Sequence, residues 1–304
     1  MLQMNKIVQI TVLPAFSKVL KNKKCLIAAF SIFVAAILSA TPAGADIKLT
    51  FGTYTADKPT DTVRKIKPVL RYLEASLTRR LGEPVRISTQ IAKDYDKGIS
   101  QLINGKVDFA RFGPASYVIA KRKAAQISIL AMEAVNGQKT FHGIICVSES
   151  ADIQKISDLS GKTFAFGNKL STIGRYLAQS QLLDVGINGD QLKRYEFLGR
   201  HDRVGTAVGN KEFDAGALKL STFEKLRKKN VAIREIHRFE NVTKPWIARA
   251  GLDEKVADAL KNALLELSDT SVLRAIKKSG FLIGEDHDFE VIREAMKRSE
   301  QFAG

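Results

Sequence analysis

Cysteine is nearly absent from this sequence, with two residues in 304, so neither a disulfide framework nor a thiolate metal cluster can be built from it. The four histidines, His142, His201, His237 and His287, lack the paired spacing that ligates a metal. Basic residues are not interleaved with aromatics, and no unbroken basic block exceeds a triplet such as Arg227-Lys228-Lys229, which argues against a nucleic-acid partner. Gly161-Lys162-Thr163 imitates the end of a nucleotide-binding loop, but Ile156 stands where its first glycine is required and a strand follows where a helix should. No G-x-S-x-G elbow is present, so a Ser171, His201 and Asp214 hydrolase rests on residue types alone. At 45% hydrophobic and 26% charged residues, with a mean hydropathy of -0.09, the chain is neither disordered, nor a coiled coil, nor a multispan membrane protein.

What the sequence has is positive charge, formally +16 from 48 basic and 32 acidic residues. Part of it belongs to a leader. Lys18, Lys21, Lys23 and Lys24 precede an apolar run from Cys25 to Ala40, and Thr41-Pro42-Ala43-Gly44-Ala45 ends in an A-x-A cleavage signature. The run is shorter than the roughly 20 residues of a membrane span, so cleavage before Asp46 and export to the periplasm are expected. Five basic residues and no acid lie before Asp46, which leaves the remainder at +11, with Cys146 as its one thiol. A diffuse positive field suits small anions.

From Asp46 onward, strand and helix patterns alternate. Ile47, Leu49 and Phe51 have period two in a strand that ends at Gly52-Thr53-Tyr54. Val63, Ile66, Leu70, Leu73, Leu77 and Leu81 mark an amphipathic helix, either kinked by Pro68 or starting there, and closed by Gly82. Strands are predicted at 85–87, 107–112, 142–147, 163–166, 195–198 and 213–218. Helices are predicted at 98–104, from Pro114, from Ser171, at 201–208 and in the tail through Leu260 and Met296. Asn104-Gly105-Lys106-Val107-Asp108-Phe109-Ala110 is echoed by Asn210-Lys211-Glu212-Phe213-Asp214-Ala215-Gly216, which suggests two similar α/β lobes with substantially parallel sheets. Ligands of such sheets sit where strands end and helices begin.

The strongest local signal runs from Thr163 to Gly174. A buried strand ends at Gly167, and Ser171 and Thr172 open a helix whose unpaired N–H groups and partial positive charge suit an anion. Ser171 could equally just cap its own helix. Gly113-Pro114-Ala115-Ser116 offers a second helix start of the same kind.

Three stretches, 107–120 (VDFARFGPASYVIA), 161–187 (GKTFAFGNKLSTIGRYLAQSQLLDVGI) and 201–218 (HDRVGTAVGNKEFDAGAL), resemble the phosphate/phosphite/phosphonate-binding proteins of bacterial ABC importers. The resemblance runs from Ile47 to about Phe281. It implies an α/β type II periplasmic-binding-protein fold, two lobes joined by two crossover hinge strands. The first lobe would be residues 46–138 with 242–304, the second 139–241.

It further implies a non-enzymatic, monomeric solute-binding protein without a cofactor, serving an ABC permease; a ligand-presenting sensor subunit is the alternative. The anion would be held by Ser171 and Thr172, by Tyr95 in the loop after the second strand and by His201, with Tyr54 and Phe141 beside it. Phe141 stands before His142 where the family often has tyrosine, and Arg111 stands where an apolar or aromatic residue is usual. Around Lys219 to Ser221 and at Lys244, where relatives that bind aminophosphonates carry carboxylates, no acid is found. Lys219 and Lys244 would therefore disfavour a ligand with an ammonium tail.

Overall fold

Ile47, Leu49 and Phe51 open β1 (Ile47–Tyr54), the first element of a computed structural model that describes residues 46–55 and 59–303. The leader expected at residues 1–45 lies outside the described residues. The chain continues through α1 (Pro59–Leu81), β2 (Val85–Ala92), α2 (Tyr95–Ile103), β3 (Phe109–Arg111), α3 (Pro114–Lys123) and β4 (Ser128–Ala134). A second run follows: β5 (Thr140–Ser148), β6 (Thr163–Phe166), a π-helical turn (Thr172–Leu177) leading into α4 (Ala178–Asp184), β7 (Arg194–Phe197), α5 (His201–Gly209), β8 (Ala215–Lys219), α6 (Leu220–Arg227) and β9 (Ile233–Val242). The chain then returns through β10 (Pro245–Ala248), α7 (Glu254–Leu265), α8 (Thr270–Ile276), β11 (Gly280–Leu282) and α9 (Glu290–Ser299).

Two sheets result, ordered β11-β4-β10-β3-β1-β2 and β7-β6-β8-β5-β9. Each has a parallel trio, β2-β1-β3 or β7-β6-β8, flanked by an antiparallel strand that arrives from the other run, β10 or β5. The sheets are thus mixed, not substantially parallel as the alternation suggested. Strands reached by direct passage, without a helical crossover on the same sheet, enter antiparallel.

The heptapeptide echo is a structural repeat. Asn104 caps α2 and Asn210 caps α5, and in each case the next residue, Gly105 (φ 66) or Lys211 (φ 62), is left-handed. The aspartate that follows then staples two parallel strands. Thr50 N–H donates to Asp108 Oδ2 at 2.8 Å, and Thr163 N–H donates to Asp214 Oδ2 at 2.7 Å.

α1 buries Ile66, Val69, Leu70, Leu73 and Leu77 against the first sheet's core and packs on α7 and α8. Val63, expected on that face, is 44% exposed, and the helix begins at Pro59 and runs through Pro68. At the other end of the chain, α9 packs on both α3 and the π turn. Phe302 lies 5.5 Å from the Phe166 ring and 5.6 Å from Tyr195.

Candidate functional site

The candidate site begins where β6 ends. Gly167 N–H donates to Gly174 O at 2.7 Å, and a Cβ on Gly174 would stand 2.8 Å from the Gly167 Cα. Only a glycine pair lets the strand end press this closely on the following turn, which widens into a π turn, a form common at functional sites. Ser171 Oγ accepts from Gly174 N–H at 3.0 Å, so the residue does cap its turn. The hydroxyl still has a proton to donate.

Residues of the first sheet face this turn. Tyr95 is not in a loop, as the resemblance implied; it is the first residue of α2, because Asp94 accepts from Lys97 N–H at 2.8 Å and caps the helix one residue earlier. The Tyr95 ring stacks on Tyr54 at 3.9 Å. Tyr54 Oη accepts from Gly113 N–H and donates to Ser116 Oγ, both at 2.7 Å, which fixes the phenol at the start of α3. Burial pushes the Tyr54 phenol up to about 12, outweighing its hydrogen bonds with Ser116 and Gly113, so it stays a neutral donor. Across the gap, Ala115 N–H donates to Thr172 Oγ1 at 3.0 Å.

The remaining walls come from the strands that pass between the sheets. Phe141 on β5 is paired directly with Asn241 on β9. His201, 4% exposed, is the first residue of α5, Lys219 ends β8, and Lys244 lies between β9 and β10. Tyr54, Tyr95, Phe141, Ser171, Thr172, His201, Lys219 and Lys244 all line one cavity of ≈ 20 Å³, together with Gly113, Pro114, Ile173 and Asn241. Two lysines, the starts of α2, α3, the π turn and α5, and several hydroxyls converge there, and none of these lining residues is acidic.

Asn241 escaped the sequence reading. It is 3% exposed, and its Oδ1 accepts no hydrogen bond from the described protein groups. The only signal for it is its register opposite Phe141, which exists in the folded sheet alone.

Arg111 is explained by an acid that the sequence did not reveal. Glu133 is fully buried and accepts from Arg111 Nε and, at 3.0 Å, from Arg111 Nη2. Trp246 Nε1 donates to it at 3.3 Å, and Lys278 Nζ lies 3.3 Å away. Burial alone would raise the Glu133 carboxyl, but Arg111 and then Lys278 outweigh it and hold the group at about 2.

The paper triad does not assemble. Asp214 is bonded to Thr163 N–H and Oγ1 at the start of β6, whereas Ser171 follows that strand's far end. Among the described residues no group of three or more His, Cys, Asp or Glu converges to hold a metal. Burial raises the Cys146 thiol well above its ordinary range, which suits a packing role.

Comparison with known proteins gives a consistent picture. Residues 51–289 match the family described as ABC transporter, phosphonate, periplasmic substrate-binding protein. The phosphate-import protein PhnD of Mycolicibacterium smegmatis is 26% identical over 188 residues, which is 59% of this chain and 57% of that protein. The chain thus spans little more than half the length of this curated relative. PhnD1 of Prochlorococcus marinus, solved with methylphosphonate, superposes with a TM-score of 0.72 at 21% identity, covering 84% of this chain and 98% of that one. A binding-protein component of a Pseudomonas aeruginosa ABC phosphonate transporter gives 0.70 at 18% identity, with 84% and 87% covered. The fold is that of type II periplasmic binding proteins.

Proposed function

The chain belongs to the phosphonate periplasmic substrate-binding family of ABC transporters, and from that premise we propose that it is an exported solute-binding protein. It captures one small phosphorus oxyanion, phosphate, phosphite or a phosphonate, and delivers it to an ABC permease. The first 45 residues act as a cleaved leader, and the mature protein works as a monomer without a cofactor. The two lobes, 46–138 with 242–304 and 139–241, hinge about the crossover strands and close over the ligand.

The observation that carries this reading is the composition of the small cavity. An oxyanion needs donors and compensating charge, and it is repelled by carboxylates. The Ser171 and Thr172 hydroxyls, the Ala115 N–H, His201 and Tyr95 supply donors, and Lys219 and Lys244 supply charge. At ≈ 20 Å³ the cavity holds about one water, so the lobes must part to admit the anion. Once seated, the anion would accept both the Ala115 N–H and the Thr172 hydroxyl proton.

A thermal-shift panel of phosphate, phosphite, methylphosphonate and sulfate tests the reading, because a ligand of the folded state raises stability by RT ln(1 + [L]/Kd). At least one phosphorus oxyanion should raise the melting temperature and be recovered unchanged after incubation. No shift with any of them, or release of product, would overturn the assignment.

A further inference from the structure

Asn241 brings an unanswered acceptor to the small cavity. It is 3% exposed, its Oδ1 accepts no hydrogen bond from the described protein groups, and it lines the cavity beside Phe141, its partner across the β5–β9 ladder. Residues directly paired across a ladder present their side chains on one face, so Asn241 and Phe141 share that wall. A buried carbonyl oxygen without a donor is costly, and here the donor can come from whatever fills the cavity.

The neighbouring hydroxyls differ from it. Ser171 Oγ accepts from Gly174 N–H and Thr172 Oγ1 accepts from Ala115 N–H, so what each has left for an oxyanion is its proton. An amide oxygen has no proton to give. Against an ionised P–O⁻ it sets lone pair against lone pair, whereas against a P–O–H it is an acceptor facing a donor.

We propose that Asn241 Oδ1 accepts the acidic O–H of the bound ligand, so that the protein selects phosphorus oxyanions that still hold one ionisable proton. The inference rests on the reading of the small cavity as the place of the phosphorus oxyanion, and deepens it by specifying the ligand's protonation state. Methylphosphonate and phosphite satisfy Asn241 as monoanions, each with one O–H, and lose it on second ionisation. Phosphate keeps an O–H in both its monoanion and its dianion. Methanesulfonate has the shape and charge of the methylphosphonate monoanion but no proton, and is disfavoured.

The test is calorimetric titration of the wild type and Asn241→Leu with methylphosphonate, phosphite, phosphate and methanesulfonate, at a pH below the ligands' second ionisation and at one about two units above it. At the lower pH the wild type should bind methylphosphonate roughly tenfold or more tighter than methanesulfonate, the value of one hydrogen bond to a charged partner. At the higher pH methylphosphonate and phosphite should weaken by roughly tenfold or more relative to phosphate, which becomes a dianion too but keeps its donor. Tyr54, Tyr95, His201, Lys219 and Lys244 on the cavity walls, and Lys278 at 5.4 Å from the Phe141 ring centroid, are common to every ligand, so the difference between ligands isolates the ligand's own proton. In Asn241→Leu the ratio of the methylphosphonate to the methanesulfonate affinity should fall by roughly fivefold or more. A wild-type ratio near one, a ratio that the variant leaves unchanged, or phosphonate and phosphate responding alike to pH overturns the role of Asn241 and leaves the oxyanion reading standing. So does a methylphosphonate affinity that rises relative to phosphate at the higher pH, the result of an amide turned to donate its NH₂. If no phosphorus oxyanion binds at either pH, the reading of the cavity fails and the inference with it.

Discussion

Ala115 and Thr172 follow strands of different sheets, and the N–H of one donates to the hydroxyl oxygen of the other at 3.0 Å. Ala115 sits in the first turn of α3, and Thr172 is the first residue of the π turn. The bond spans the gap that an anion would bridge. The two helix starts therefore approach closely enough to share one ligand, and the proposed mechanism depends on this.

Closure should be visible in solution. An oxyanion bonded to both helix starts stabilises the arrangement in which they meet, and so shifts the population towards it. Small-angle scattering should give a smaller radius of gyration with saturating anion than without. Superimposable profiles would argue against a hinged cleft.

Glu133 should make the protein sensitive to acid. Its carboxyl is held at about 2, below the 4.5 of an unfolded chain, so the contribution is fully present above about pH 4.5 and is lost as the pH falls towards 2. The shift corresponds to about 3 kcal/mol. Urea unfolding at several pH values should show this loss in the wild type. In Glu133→Gln the stability should be lower at neutral pH, because Arg111 and Lys278 lose their partner, and the slope below pH 4.5 should flatten. A variant with the wild-type slope would mean that other carboxylates govern the acid limb.

Asn241 should matter for binding but not for folding. Its Oδ1 is buried without a donor among the described residues, an arrangement that costs roughly 1–3 kcal/mol, so an apolar residue of similar size should fold at least as well. Asn241→Leu should keep or raise the melting temperature and weaken oxyanion binding by about 1 kcal/mol. Destabilisation by several degrees with unchanged affinity would assign the residue to the scaffold.

What the sequence made legible is what short-range physics determines. Helix starts and capping residues are set within a few residues of chain, so the echo and the turn opened by Ser171 and Thr172 could be read directly, whereas the Asp108 and Asp214 staples join strands far apart in sequence and emerge only on folding. Tyr54, Tyr95, Phe141, His201, Lys219 and Lys244 came from the family resemblance. Contacts made by sheet order stayed hidden. Arg111 and Glu133 stand on β3 and β4 with β10 between them, and Asn241 meets Phe141 only through the β5–β9 register. The π turn was equally invisible, because it follows from a backbone approach between Gly167 and Gly174 across the strand end.

The most direct measurement compares the wild type with Ser171→Ala/Thr172→Ala by calorimetry, using whichever of phosphate, phosphite and methylphosphonate gives the largest thermal shift. The wild type should bind one anion per chain. The double variant should remain folded, since losing an N-cap costs about 1 kcal/mol, while its affinity falls by roughly 2–4 kcal/mol, about 30- to 1,000-fold. A folded double variant that binds the anion as tightly as the wild type would contradict the account.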